Sequence, residues 1–60
     1  MTIRERTIQL LASVRTLVQM DAIARQSLRT LIAEFPGREG EIMYEWDSRK
    51  MQITRMTEND

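Results

Sequence analysis

Residues 35–54 read Phe-Pro-Gly-Arg-Glu-Gly-Glu-Ile-Met-Tyr-Glu-Trp-Asp-Ser-Arg-Lys-Met-Gln-Ile-Thr, and they separate two parts of the chain with different periodicities. Proline removes a backbone donor and disfavours a helical conformation for the residue before it, so Pro36 predicts that a helix ends at Phe35. The two glycines that follow allow positive φ, which is typical of a turn over residues 36–40. Beyond that turn, apolar residues alternate with polar ones, and a period of two predicts β-strands.

The second part of the chain predicts a β-hairpin over residues 41–56. Its centre, residues 47–50, reads Asp-Ser-Arg-Lys, and an Asp at the first position of a turn can hydrogen-bond the backbone two residues later. This turn would place the large apolar side chains on one face of the hairpin and polar side chains on the other. Residues 57–60 are expected to form a frayed tail. The predicted cross-strand pairs are Trp46 with Met51, Tyr44 with Ile53 and Ile42 with Arg55.

The first part of the chain, residues 2–35, contains no Pro or Gly and has the periodicity of helices. Thr2 and Glu5 have the spacing of a capping box, in which the hydroxyl and the carboxylate each accept from the other residue's backbone N–H. This pair predicts that a helix begins directly after Thr2.

Asp21 interrupts the apolar stripe of this helical part. Inside one continuous helix its carboxylate would be costly to bury without a partner, whereas at a helix N-cap it would accept from backbone amides two or three residues later. We therefore predict a break near residues 19–21, with helices over roughly 3–19 and 22–35. One long helix is the alternative.

These patterns predict a single α+β domain over residues 1–60, in the order α-α-β-β, with the hairpin packed on the helices. A chain of 60 residues buries only about 60% of its unfolded surface, so a lone monomer is marginally stable. The chain has no Cys, which excludes a disulfide. We therefore predict a homodimer joined either through the surplus apolar surface of residues 3–18 or through the edges of the hairpin. The self-association candidates are Ile3, Leu10, Leu11, Val14, Leu17 and Val18.

Composition argues against several classes of function. Without His or Cys, the chain lacks a neutral-pH base, a thiolate nucleophile and the usual zinc ligands. So short a chain does not enclose a substrate pocket of the usual size, and we predict no catalysis, no metal and no cofactor. The longest apolar runs are of three residues, against about 20 for a membrane span, and we recognise no secretory signal. We expect a soluble cytoplasmic domain.

Charge is distributed unevenly along the chain. Residues 1–33 carry five basic and two acidic side chains, whereas residues 34–60 carry four basic and seven acidic ones. Either the basic first half contacts an anionic partner, or the two halves complement each other within a dimer. We predict a non-catalytic regulatory or inhibitory module, of a kind typical of phages and mobile elements, that docks on a larger protein. The candidate partner-binding residues are Met43 and Glu45 in the hairpin and Arg25 and Arg29 in the helical part.

Two other functions fit the sequence. A dimeric DNA-binding regulator would use a basic helix and the hairpin as a wing. A coiled-coil assembly piece would use the single long helix. The nucleic-acid candidates are Arg15, Arg25, Arg29, Arg49 and Lys50.

A motif Phe-Pro-x-x-Glu-Gly occurs at Phe35, Pro36, Glu39 and Gly40, preceded by Asp21, Ala22, Ala24 and Arg29. Through this motif, residues 20–60 resemble the DinI-like family of small damage-inducible proteins of bacteria and phages. The resemblance implies a helix that leads into a turn and a β-hairpin, and a regulator that binds the recombinase RecA. The N-terminal strand and the C-terminal acidic helix of that family have no counterpart here, so no contact residue is carried over.

Overall fold

The computed structural model describes residues 1–58, which form three α-helices and no strand. Helix α1 comprises Ile3–Leu10, α2 comprises Leu17–Glu34 and α3 comprises Glu39–Glu58. Every pair of helices is in contact, and the molecule measures 37 × 17 × 17 Å. The described residues therefore form an all-α fold, and the prediction of an α+β fold in the order α-α-β-β is wrong.

Contacts near the helix ends show how the helices run. Ile3 at the start of α1 packs with Leu31 near the end of α2 and Ile42 near the start of α3. Asp21 in the first half of α2 lies 4.0 Å from Lys50 in the second half of α3. Helix α2 is therefore antiparallel to its two neighbours, and the chain is an up-down-up bundle.

The interior consists of two apolar clusters that share one neighbour. Leu28 of α2 is partly buried and packs against both clusters, so it joins them into one core. The cluster beside the α1–α2 connection contains Leu11, Val14, Met20, Trp46 and Ile53. The cluster at the opposite end contains Ile3, Leu31 and Ile42.

Helix α3 occupies the region predicted as a hairpin over residues 41–56. Ile42 and Trp46 are four residues apart, an interval that fits both an alternating strand and one helical turn. The hairpin requires Tyr44 to share their buried face, but Tyr44 is 65% exposed. Ile53 is buried together with Ile42 and Trp46. It lies seven residues, or about two helical turns, after Trp46, so a helix places both on the same face. The four residues predicted to form the hairpin turn lie in the middle of α3.

The Pro-Gly segment does end one helix, but it leads directly into another. Gly37 has a φ of 80°, which is the left-handed conformation that a glycine adopts at little cost. Ile42 donates its backbone N–H to the carbonyl of Arg38 at 3.0 Å, so helical hydrogen bonding begins at once. Glu39 and Glu41 lie in the first turn of α3, where negative charge stabilises a helix.

The connection between α1 and α2 comprises residues 11–16 and lies earlier than the predicted break. Thr16 caps α2, because its hydroxyl accepts from the Gln19 backbone N–H at 3.1 Å and the Gln19 side chain accepts from the Thr16 backbone N–H at 3.2 Å. Asp21 is exposed on α2 and caps nothing. The predicted break beside Asp21 is therefore wrong, and so is the alternative of one long helix.

The start of α1 agrees with the sequence. Thr2 is the N-cap, and it forms the predicted capping box with Glu5. Within α1, the buried hydroxyl of Thr7 donates to the carbonyl of Ile3 at 2.8 Å, so this polar group is satisfied inside the bundle.

The resemblance to the DinI-like family is wrong as well. That fold needs a β-hairpin after the Phe-Pro turn, and this chain forms α3 there. Thr57 and Glu58, predicted as part of a frayed tail, belong to α3, whereas the rest of that tail, Asn59 and Asp60, lies outside the described residues. None of the three helices combines the length and the apolarity needed to cross a membrane.

Candidate docking groove

A groove of about 300 Å³ lies between α1 and α3. Helix α1 contributes one charged, one apolar and one threonine side chain, and α3 contributes side chains spaced three or four residues apart, which share one face of a helix. We call this surface the α1–α3 groove. Its lining residues are Arg4, Thr7, Ile8, Tyr44, Glu45, Ser48, Arg49 and Gln52.

The apolar part of the groove is open to solvent. Ile8 is 50% exposed and Tyr44 is 65% exposed. Met51 does not line the groove, but it lies two turns after Tyr44 on the same side of α3. Met51 is also more than half exposed, and its sulfur accepts from an Arg55 N–H at 3.6 Å. Neighbouring exposed apolar side chains of this size are typical of a contact surface for another molecule.

One ion pair crosses the groove. Nε of Arg4 lies 3.3 Å from Oε2 of Glu45, whose side chain is only 14% exposed. The carboxylate of the groove is therefore already engaged by α1.

A second ion pair holds α1 to α2, because Arg6 donates two hydrogen bonds of 2.9 Å to the two carboxylate oxygens of Glu34. This contact raises the pKa of Arg6.

Arg49 is the half-buried cation of the groove. Its Nη1 donates to Oε1 of Gln52 at 3.0 Å. Its Nε is covered by protein and has no hydrogen-bond partner, and it is the one buried side-chain nitrogen or oxygen within residues 1–58 in that state. A guanidinium group presents five N–H donors, so Arg49 has unused capacity at the groove.

The six predicted self-association residues lie mostly inside the chain. Ile3, Leu11 and Val14 are buried, and Leu10 and Leu17 are partly buried against the two clusters. Val18 differs from the rest because it is 78% exposed. The homodimer stays a prediction, but in this fold these residues offer little surface to a second copy.

The predicted partner-binding and nucleic-acid residues do not form one patch. Met43 is 44% exposed on α3, and Arg25 and Arg29 are exposed one turn apart on α2. Arg49 and Glu45 lie in the α1–α3 groove. The remaining two are separate: Arg15 lies in the α1–α2 connection, and Lys50 faces Asp21 of α2.

The wing proposed for DNA binding does not exist, since no hairpin forms within residues 1–58. The coiled-coil alternative depended on one long helix, which the α1–α2 connection interrupts. The coiled-coil alternative therefore loses its element, whereas the DNA-binding alternative loses its wing and keeps Arg25 and Arg29 on α2.

Sequence reasoning missed Arg4, Ile8, Tyr44 and Gln52 as site residues. Three of the α3 members of the groove, at positions 45, 49 and 52, have spacings of four and three, which is a helical signal that the hairpin interpretation concealed. The contribution of α1 depends on the packing of α1 beside α3, which no local pattern specifies.

Comparison with known proteins adds no assignment. The chain matches no protein-family model. No curated protein is significantly similar to it, and no solved structure is either. Among residues 1–58, no cluster of three or more acidic, His or Cys side chains is arranged to hold a metal ion.

Proposed function

We propose that this chain is a non-catalytic regulatory module of the cytoplasm that docks on a larger protein through the α1–α3 groove. The observation that carries the proposal is the groove itself, in which exposed Ile8 and Tyr44 stand beside Arg49 and Gln52. Protein contact surfaces combine aromatic and aliphatic anchors with arginine in this way.

The shape of the groove suits a helix of the partner. Two neighbouring helices of a bundle leave a channel into which a third amphipathic helix packs, with its apolar residues three and four positions apart. Helix α1 has 8 residues, whereas α3 has 20, so α3 extends well beyond the groove. A docked helix would also reach Met51, which lies further along the same side of α3.

The charge of α3 argues against the nucleic-acid alternative. This helix carries five acidic and three basic side chains. A helix that approaches DNA needs basic side chains to contact the phosphates, so an acidic helix favours a protein partner.

Site-specific photocrosslinking in the cells that make this protein tests the proposal. The photoreactive residue p-benzoylphenylalanine is placed at Tyr44 in one variant and at Val18 in a matched control. Val18 is 78% exposed but lies on α2 and does not line the groove. We expect a discrete larger adduct from position 44 that position 18 does not give, and excess wild-type protein should suppress it.

Two results would overturn the proposal. One is an adduct from position 18 with none from position 44, which would move the contact to α2. The other is the same adduct from both positions, or none from either, because the groove would then have no preferred partner. As a further control, Ile8→Asp in the competitor should abolish its ability to suppress the adduct.

A further inference from the structure

Two arginines of the described chain are half-buried, and they differ in what faces them. Arg6 is paired with the carboxylate of Glu34. Arg49 has no carboxylate within 4.0 Å among residues 1–58, and its hydrogen-bond partner is the neutral side chain of Gln52. Holding a cation partly out of water without an opposite charge is unfavourable. Arg49 is therefore prepared for an anion that this part of the chain does not supply.

The surroundings of Arg49 select the kind of anion. Glu45 also lines the groove, and it is engaged by Arg4, so the three charged groups leave one net positive charge. A single carboxylate balances that charge, whereas a doubly charged phosphate would leave one negative charge uncompensated. Ile8 and Tyr44 lie on the same groove, so the anion is expected beside apolar groups.

We propose that Arg49 binds the side-chain carboxylate of an Asp or Glu on the docked helix, whose apolar residues contact Ile8 and Tyr44. This inference rests on the function proposed above. Because Nε of Arg49 is covered, the carboxylate approaches from the Nη nitrogens. Charge-assisted contacts of this kind are stronger than neutral ones and fix the orientation of the ligand. Arg49 would thus set the register in which the partner helix lies.

The test uses a displayed library of amphipathic helical peptides of about 16 residues, long enough for four turns. Binders are selected on the wild-type chain, and the best peptide is then measured by calorimetry. The formal net charge of the chain is zero, so no general attraction enriches acidic peptides. We expect the selected peptides to share one Asp or Glu at a fixed distance from their apolar residues.

A double-mutant cycle then identifies the partner of that carboxylate. Changing it to the amide should weaken binding to the wild-type chain by about 10- to 100-fold, and Arg49→Gln should weaken binding of the acidic peptide equally. The two changes together should cost little more than either alone. Arg49→Lys retains the charge but loses the planar fork, so its affinity should be intermediate. Unchanged helicity of both variants shows that they fold.

The outcomes separate this inference from the proposed function. The role of Arg49 would be overturned if the selected peptides shared no acidic residue, or if the double-mutant cycle showed no coupling. In that case Tyr44→Ala would still weaken binding. The docking groove would then stand without its carboxylate site. Affinities that neither Tyr44→Ala nor Arg49→Gln changes would overturn both. Val18→Ala is the control, since it removes an exposed apolar side chain outside the groove.

Discussion

At the scale of single residues, two threonines begin helices in the same way. The hydroxyl of Thr16 accepts from the Gln19 backbone N–H, and that of Thr2 accepts from Glu5. Thr16 is exposed, so Thr16→Ala removes the cap without opening the core. We expect it to lower the free energy of unfolding by about 1 kcal/mol in urea titrations. Thr16→Asn keeps an acceptor and should cost much less; equal losses would show that the hydroxyl does not cap α2.

Glu5 makes the N-terminal cap sensitive to pH. The backbone N–H of Thr2 donates to its carboxylate at 3.0 Å, and this hydrogen bond, with a smaller effect of the Thr2 side chain, lowers the pKa of Glu5. A carboxyl with a lowered folded pKa contributes stability that is present above its unfolded pKa and is lost as pH falls through its folded pKa.

NMR titration of the Glu5 carboxyl carbon should therefore give a lower midpoint in the folded chain than in the chain unfolded by urea. Glu5→Gln should reduce the loss of stability on acidification. Identical midpoints in the folded and unfolded chains would show that the capping box is open in solution.

At the scale of the element, α3 explains why part of the fold was predictable and part was not. The Thr2 cap and the end of a helix at Phe35 depend on neighbouring residues, and both predictions hold. The type of the last element depended on a longer pattern. Its buried side runs through positions 42, 46, 49 and 53, and Arg49 stands where an apolar residue would have made the helical period evident. Arg49 therefore obscured the helical pattern in the sequence, and the same side chain gives the groove its net positive charge.

Gly37 and Gly40 give a direct test of where α3 begins. Gly40 lies in the first turn of the helix and has no atom within 4 Å of an added Cβ, whereas Gly37 has a φ of 80°. Gly40→Ala should raise the free energy of unfolding by up to about 1 kcal/mol, because alanine favours helix more than glycine does. Gly37→Ala should lower it by about 1 kcal/mol, since a Cβ disfavours positive φ. Destabilisation by Gly40→Ala would indicate a turn at residue 40, as in the hairpin prediction.

At the scale of the whole molecule, most of the apolar residues that were predicted to join a dimer lie in the interior of one chain. The α1–α2 connection lets Leu11 and Val14 fold back onto Trp46 and Ile53, while Leu28 joins this cluster to the one around Ile3, Leu31 and Ile42. The sequence identified most of these residues as apolar and periodic. It did not distinguish burial within a chain from burial between chains, because both remove the same surface from water.

The predicted homodimer remains to be tested. Because most of its candidate residues are buried within one chain, we expect the chain to unfold as a monomer whose core is shared by all three helices. An obligate dimer becomes more stable as its concentration rises, because association is linked to folding. The thermal midpoint should instead stay constant over about a hundredfold range of concentration, whether it is followed by helical circular dichroism or by the fluorescence of buried Trp46. Coincident transitions would show that both clusters unfold together. A midpoint that rises with concentration would support the predicted homodimer, and Val18→Asp would then test whether the most exposed of the predicted self-association residues lies at its interface.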